Sequence, residues 1–125
     1  MAQKYIVGDL VKYKVGGLEF IAEITNTSKY GYCFKCVGDD ISGTLCKEFT
    51  KDIPLTSEIL EKNGWKKPDA FDSYWLDKIG LLQDGDIWHS ALGSTKIAIT
   101  LGDIQYIHEL QHLLFGLGLN SEMEV

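Results

Sequence analysis

Apolar and polar residues alternate through most of the first 50 positions, and this two-residue period predicts β-strands. The clearest case is a pair of alternating segments, residues 11–15 and 18–24, separated by Gly16-Gly17. A two-residue connection of this kind is typical of a β-hairpin. The predicted register brings apolar side chains onto one face through three pairs: Val15 with Leu18, Tyr13 with Phe20 and Val11 with Ala22. It also sets Lys14 opposite Glu19 on the other face, where opposite charges add modest stability.

Two more strands follow at about residues 30–37 and 41–49, connected through Gly38-Asp39-Asp40. Four or five short strands within 50 residues predict a small, strongly bent barrel of the SH3-like kind. A barrel of this size has too little core to be stable alone. We therefore expect residues 1–52 to form an SH3-like lobe that packs with the rest of the chain as one unit.

The segment that begins at Ile53 has a different character. Thr56 or Ser57 can cap a helix that carries Glu58 in its first turn, and Gly64 is placed to end it. Ile59 and Leu60 supply the buried stripe of this helix. Residues 66–69, which include Pro68, predict a loop.

A meander of three antiparallel strands is predicted next. Asp84-Gly85 and Gly93-Ser94 are both two-residue hairpin signals. The registers that they predict place five residues on the face that is the better core: Ile79, Leu81, Trp88, Ile97 and Ile99. The other face is more mixed and carries Leu82, Ile87, His89, Ala98 and Thr100.

The last predicted element is a helix over about residues 103–115. At ~100° per residue, Ile107, Leu110 and Leu114 cluster on one side, which we expect to pack on the meander. The opposite side is polar and carries Gln105, His108, Glu109 and His112. The predicted fold is therefore α+β: a small SH3-like β-barrel lobe, then a helix, a three-stranded antiparallel meander and a C-terminal helix packed on it. The second lobe spans residues 53–125.

The net charge and the type of basic residue restrict the possible partners. All twelve basic residues of the 125-residue chain are lysine, and the net charge is −6. The absence of arginine and the acidic balance argue against duplex nucleic acid as a partner. A small phosphorylated ligand bound through lysines and backbone amides stays open. Residues 79–125 carry one lysine against six acidic residues, so this part faces water or a basic partner with an acidic surface.

Composition also bears on location. The apolar content of 45% is that of a folded protein, and no stretch approaches the ~20 apolar residues of a membrane span. The N-terminal residues lack the apolar core of a signal peptide, so we expect a cytoplasmic protein with free cysteines.

Residues 108–112 read His-Glu-Leu-Gln-His, which matches the H-E-x-x-H pattern of zinc metallopeptidases. In such a site His108 and His112 would hold zinc and Glu109 would be the base. A third ligand is missing, because only thirteen residues follow His112 and their strong donors are Glu122 and Glu124. Both histidines also lie on the polar face, where solvated side chains are expected. We therefore predict no catalytic residue and no metal ligand here.

Cys33 and Cys36 form a C-x-x-C pair, which in zinc sites usually lies on a tight turn. Here the pair lies in an alternating segment, and side chains three apart on a strand point to opposite faces. Cys46 has no second pair, so we interpret the cysteines as packing residues. No glycine-rich phosphate loop and no nucleophile elbow is present, and we predict no cofactor.

Three segments resemble a family of small uncharacterised proteins of phages and mobile elements of gut Bacteroidetes. Residues 6–11 (Ile-Val-Gly-Asp-Leu-Val) are similar to the opening strand of that family, and residues 53–65 to its central helix. Residues 106–115 are similar to its closing helix, which reads V-H-Q-L-Q-N-L-Y-F, with Glu109 and His112 in place of Gln and Asn. The resemblance implies that the H-E-x-x-H match is a local accident of sequence, and it implies no activity.

The function expected from the sequence is that of a non-enzymatic binding protein of phage or mobile-element type. Its partner would be a host or defence component, either a protein or a small signalling nucleotide, and a homo-oligomer stays open. The alternative, from a different class, is a minimal zinc metallopeptidase that uses residues 108–112.

Overall fold

The computed structural model describes residues 5–27, 31–38, 40–46, 49–69, 72–93 and 98–125. The architecture is α+β, with two antiparallel sheets and two short helices in these residues. The elements in chain order are β1 (Leu10–Val15), β2 (Leu18–Thr27), β3 (Gly31–Cys36), β4 (Ser42–Cys46), β5 (Thr50–Lys51), α1 (Ser57–Lys62), β6 (Ser73–Leu76), β7 (Ile79–Asp84), β8 (Ile87–Gly93), β9 (Ala98–Ile104) and α2 (Ile107–Gly116). Within the described ranges, no helix has the length and apolar character needed to cross a lipid bilayer.

The chain divides into two compact units. Unit 1 comprises Met1–Ile53 and Tyr106–Glu122, and unit 2 comprises Pro54–Gln105 and Met123–Val125. Helix α2 therefore belongs with the first sheet, and the predicted grouping of this helix with the meander in a lobe 53–125 is wrong. The reason is that its partners include residues 8–10, about 100 positions earlier in the chain, which no local pattern reveals.

The sheet of unit 1 has the strand order β4-β3-β2-β1-β5. The predicted β1–β2 hairpin is confirmed in every pair, including Tyr13 with Phe20 and Lys14 with Glu19. Glu19 lies 3.4 Å from Lys12 Nζ and 4.0 Å from Lys14 Nζ. No pairing that closes this sheet into a barrel is found among the residues described.

The core of unit 1 lies on one face of this sheet. Its buried members are Tyr5, Val11, Ala22, Ile24, Tyr32, Phe34 and Leu45. A β-bulge between Ile24 and Asn26 shifts the register of β2 against β3 and increases the local twist. Gly31 is required where β3 meets β4, because a Cβ atom there would clash with the carbonyl oxygen of Leu45.

Unit 2 begins with helix α1, and both of its predicted ends are confirmed. Thr56 is the N-cap, and its Oγ1 accepts a hydrogen bond from the backbone N–H of Ile59 at 3.3 Å. Gly64, with φ of +86°, follows the helix in a left-handed conformation that favours glycine. Leu60 and Trp65 are buried.

The sheet of unit 2 has four strands in the order β6-β7-β8-β9, one more than predicted. Strand β6 was missed because its sequence, Ser-Tyr-Trp-Leu, does not alternate between polar and apolar residues. Three members of the predicted core face, Ile79, Leu81 and Trp88, are confirmed as buried. Trp88 also donates a hydrogen bond from Nε1 to the carbonyl oxygen of Leu55 at 3.1 Å.

The predicted Asp84-Gly85 turn and the predicted β8–β9 register both differ from the structure. The β7–β8 turn is Gly85-Asp86, because Asp84 pairs with Ile87, and Gly85 has the positive φ of +65° expected at the first central position of a type II′ turn. The β8–β9 register is shifted further, since Trp88 pairs with Ile104 and Ile99 is 64% exposed. The placement of Ile99 in the core was therefore wrong. Ile97 and Ser94 lie outside the described residues.

Candidate functional site

Helix α2 buries polar side chains together with its apolar stripe. Ile107, Leu110 and Leu114 are buried, as predicted, but His108 and Gln111 are only 5% and 3% exposed. The prediction that the histidine-bearing side of the helix is solvated is therefore wrong at its central residue. Positions 107, 108 and 111 lie within ~100° of one another around the helix axis. One broad buried face therefore carries both apolar and polar side chains.

Gln111 and His112 attach the helix to the segment that leads into strand β1. The Gln111 side chain accepts a hydrogen bond from the N–H of Leu10 at 2.8 Å and donates to the carbonyl oxygen of Gly8 at 2.9 Å. His112 Nε2 lies 2.7 Å from Oδ2 of Asp9, a carboxylate that is 2% exposed. The same oxygen accepts the N–H of Ile6 at 2.8 Å. These bonds satisfy buried polar groups, which would otherwise destabilise the unit.

His108 lies among aromatic rings and next to a carboxylate. Its ring stacks on Tyr106 at 6.0 Å and meets the edge of Tyr5 at 5.0 Å. Its Nδ1 atom is buried without a hydrogen-bond partner, and Oδ1 of Asp52 lies 3.6 Å away. That oxygen instead accepts the Tyr5 hydroxyl at 2.5 Å.

The protonation states of this cluster follow from burial. Burial lowers the pKa of His108, which favours the neutral ring, and the nearby Asp52 carboxylate opposes this only in part. Burial raises the pKa of Tyr5 and the hydrogen bond to Asp52 raises it further, so this side chain is a neutral phenol. The cluster thus holds a neutral imidazole and a neutral phenol against one carboxylate.

The three residues of the H-E-x-x-H reading do not converge on one point. The rings of His108 and His112 are 5.6 Å apart, but their nitrogens face different carboxylates, Asp52 and Asp9. Glu109 Oε1 accepts the backbone N–H of Tyr106 at 3.0 Å and so closes the first turn of the helix. In the part of the chain that is described, no group of three or more His, Cys, Asp or Glu side chains has a metal-binding arrangement.

The C-x-x-C pair lies on strand β3, as the alternation predicted. Cys33 and Cys36 are free and half-buried, and Cys36 packs against the core of unit 1. The side chain of Cys46 lies outside the described residues.

An apolar groove lies at one end of the core of unit 1. It has a volume of about 410 Å³ and is lined by Tyr13, Leu18, Phe20, Phe34, Cys36, Ile41, Thr44 and Leu45. Three aromatic rings from adjacent strands form its floor, with Phe20 5.4 Å from Tyr13 and 5.3 Å from Phe34. We call this feature the aromatic groove.

The rim of the aromatic groove is exposed. Leu18 is 56% and Ile41 is 59% exposed, and both large apolar side chains line the same groove. Strand β4, which supplies Thr44 and Leu45, is at the edge of the sheet. The hairpin register predicted the neighbouring positions of Tyr13 and Phe20, but nothing in the sequence indicated that this end of the core stays open.

Comparison of the chain with protein-family models, with curated proteins and with solved structures found no match.

Proposed function

We propose that the protein is a non-enzymatic binding protein and that the aromatic groove of unit 1 receives an extended apolar segment of a partner protein. The observation that carries this proposal is the groove itself, an open apolar hollow of about 410 Å³ with a floor of three aromatic rings. Binding energy in protein interfaces is concentrated in a few buried side chains, often aromatic, and apolar pockets lined by aromatic rings are common ligand sites.

The lining favours an apolar peptide over a signalling nucleotide. Among the described residues, those that line the groove carry no charge, whereas phosphate recognition needs cationic side chains or clustered backbone N–H groups. Strand β4 at the sheet edge offers main-chain groups to an extended segment beside the groove. A peptide that pairs with such an edge places alternate side chains toward the same face.

The polar cluster of helix α2 supports a structural role over a catalytic one. Apart from the buried Nδ1 of His108, its polar groups are occupied with one another or with the backbone: His112 with Asp9, Tyr5 with Asp52, and Glu109 with Tyr106. Groups held in this way stabilise the junction between the helix and the sheet, and Asp9 and His108 are almost completely enclosed.

Selection of peptides on the immobilised protein tests the proposal. A random peptide library is selected on the wild-type protein, and the recovered peptides are measured against two variants, Leu18→Glu/Ile41→Glu and Ile99→Glu. The second is the matched control, because Ile99 is 64% exposed but lies in unit 2, outside the groove. We expect peptides with alternate apolar residues that lose affinity for the groove variant and keep it for the control.

Recovery of no peptide, or of peptides that bind both variants as well as the wild type, would overturn the proposal.

A metal assay addresses the alternative function, that of a zinc metallopeptidase. The binding-protein proposal predicts no tightly held zinc after purification in zinc-containing buffer. Stoichiometric zinc that is lost in a His108→Ala/His112→Ala variant would favour the metallopeptidase.

The biological setting is part of the proposal and rests on the resemblance of three segments to proteins of phages and mobile elements. It supports a role in the cytoplasm of a bacterial host, where the groove would occupy a host or defence protein. We also propose that the short, bulged sheet of unit 1 is of the SH3-like kind, which the five strands and their order within 50 residues support.

A further inference from the structure

A second hollow lies on the sheet of unit 2 and has a different character. Its volume is about 430 Å³, and its lining includes small residues from three adjacent strands, Gly80, Ala91 and Thr100. Trp75 forms one side, and Leu82 and His89 form the other. We call this feature the Trp75 trough.

The indole of Trp75 is held in a defined position. A Cβ atom at Gly80 would lie 2.8 Å from Cη2 of Trp75, so the ring covers this glycine and uses the space that a side chain would occupy. The indole N–H donates to Oγ of Ser73 at 2.8 Å. Trp75 is half-buried, whereas Trp65 and Trp88 are 3% and 1% exposed. It is therefore the tryptophan whose ring borders a hollow that a ligand can enter.

Carboxylates dominate the charge around the trough. Asp72 is part of its lining, and His89 is bound by two further carboxylates, Asp103 at 2.6 Å and Asp84 at 3.1 Å. These two hydrogen bonds raise the pKa of His89. Even with His89 protonated, the three carboxylates leave this group with a net negative charge.

Lys66 is a cationic residue beside Trp75. Lys66 pairs with Trp75 through backbone hydrogen bonds of 3.0 and 2.7 Å, and its exposed side chain is not part of the lining. The charged side chains of the lining are therefore those of Asp72 and His89, and His89 is hydrogen-bonded to Asp84 and Asp103.

We propose that the Trp75 trough binds an organic cation, an ammonium or guanidinium group, which lies against the indole face of Trp75 and pairs with Asp72. An aromatic face beside carboxylates is the arrangement that recognises such cations. The carboxylates of Asp72 in the lining and of Asp84 and Asp103 on His89 complement a basic ligand and would repel a phosphate or a carboxylate. The cation is either a small molecule such as a polyamine or a lysine or arginine side chain of a partner.

The three indole N–H signals in a nitrogen–proton correlation spectrum report on this binding, because the buried Trp65 and Trp88 serve as internal references. The first ligand pair is choline and its neutral isostere 3,3-dimethylbutan-1-ol. We expect choline to shift the Trp75 signal and the isostere to shift it at clearly higher concentration. Equal responses, or no shift of the Trp75 signal with choline, would overturn the proposal.

Two variants locate the site. Asp72→Asn should weaken choline binding by about two- to five-fold, the effect expected for one exposed ion pair. Asp86→Asn is the matched control, since Asp86 is an exposed carboxylate in the β7–β8 turn and not part of the lining. Equal affinities of the two variants would remove the role of Asp72.

Gly80→Ala displaces the Trp75 ring and should weaken binding as well, while an unchanged Trp88 signal verifies that the sheet is folded. If Gly80→Ala binds choline as the wild type does, the indole is not the recognition surface.

Spermidine and a short lysine-rich peptide then separate the two sources of the cation, because the ligand that binds more tightly identifies the source. The aromatic groove takes no part in this assay, so its failure and that of the peptide selection are distinguishable.

Discussion

At the scale of single residues, unit 1 depends on polar side chains that a helical-wheel view treats as solvated. Gln111 and His112 each bond to groups that are 101 or 103 positions away in sequence. A polar residue on a helix is a sound indication of solvent exposure unless a distant segment supplies hydrogen-bond partners. Here residues 8–10 supply them, and that information is tertiary.

Gln111→Ala should destabilise unit 1 markedly. The substitution leaves the N–H of Leu10 and the carbonyl of Gly8 without their side-chain partner, and unsatisfied buried groups of this kind cost about 1–3 kcal/mol each. We expect a loss of about 2–4 kcal/mol in the free energy of unfolding. All three tryptophans lie in unit 2, so the amide signal of Leu10 during urea unfolding is the suitable measurement.

Gln83→Ala is the matched control for this prediction. Gln83 is exposed and donates a single 3.3 Å hydrogen bond to the carbonyl oxygen of Gly85. A surface change of this kind is expected to stay within about 0.5 kcal/mol. Equal effects of the two substitutions would show that the Gln111 bonds do not stabilise the unit.

His108 should make the stability of unit 1 sensitive to acid. Its pKa in the folded protein is lowered by burial, so between that value and the ~6.5 of an unfolded histidine the unfolded chain binds more protons. The contribution to stability is fully present above about pH 6.5 and is lost as the pH falls toward the folded-state pKa. His108→Phe keeps a ring beside Tyr5 and Tyr106 but cannot be protonated.

We therefore expect the unfolding free energy of unit 1 to fall less in His108→Phe than in the wild type when the pH is lowered from about 7.5 to about 5.5. The Leu10 amide again reports on the unit. Identical losses in the two proteins would mean that other groups cause the acid sensitivity and that the buried His108 ring accepts a proton without cost.

At the scale of elements, the register of the β1–β2 pair was predicted from the sequence, whereas that of the β8–β9 pair was not. The β1–β2 hairpin was predicted pair by pair, because Gly16-Gly17 fixes the connection and both strands alternate cleanly. The β8–β9 pairing was not predicted, because Gly93 pairs with Ala98 and a β-bulge between Ser90 and Ala91 changes the register. A shift in register decides which isoleucine of β9 is buried.

The same substitution at two isoleucines of β9 tests this register. Ile104 is 4% exposed and pairs with Trp88, whereas Ile99 is 64% exposed. Ile104→Ala should cost ~2–5 kcal/mol, as for large-to-small changes in a core, and Ile99→Ala about 0.5 kcal/mol or less. Tryptophan fluorescence during urea unfolding measures both, since Trp88 lies in the same unit. A reversed order of the two effects would support the register that the sequence suggested.

At the scale of the whole molecule, unit 1 is discontinuous in sequence. It combines the first 53 residues with Tyr106–Glu122, so the last helix completes a unit that the first strands begin. A prediction from sequence groups neighbours along the chain, and for this reason it placed the helix with the meander. The boundary after Ile53 differs by one residue from the predicted one.

A fragment of residues 1–53 should be poorly folded by itself. It lacks the Gln111 and His112 bonds to residues 8–10 and the buried face of helix α2. A synthetic peptide of residues 106–122 should restore dispersed amide signals, and the same peptide with Gln111→Ala should do so less well. Well-dispersed signals from the fragment alone would show that the helix is not needed for the fold of this unit.

The sequence by itself determined the features that depend on neighbours along the chain: the alternating strands, the first hairpin, the Thr56 cap and the apolar stripe of helix α2. It also supplied the charge asymmetry of residues 79–125, which include the Asp84 and Asp103 carboxylates on His89. The tertiary structure decided which unit receives helix α2, which isoleucine of β9 is buried, and that His108 and Gln111 are enclosed. It also decided that one end of an apolar core stays open as the aromatic groove. These features depend on contacts between residues far apart in the chain, and local patterns carry no record of such contacts.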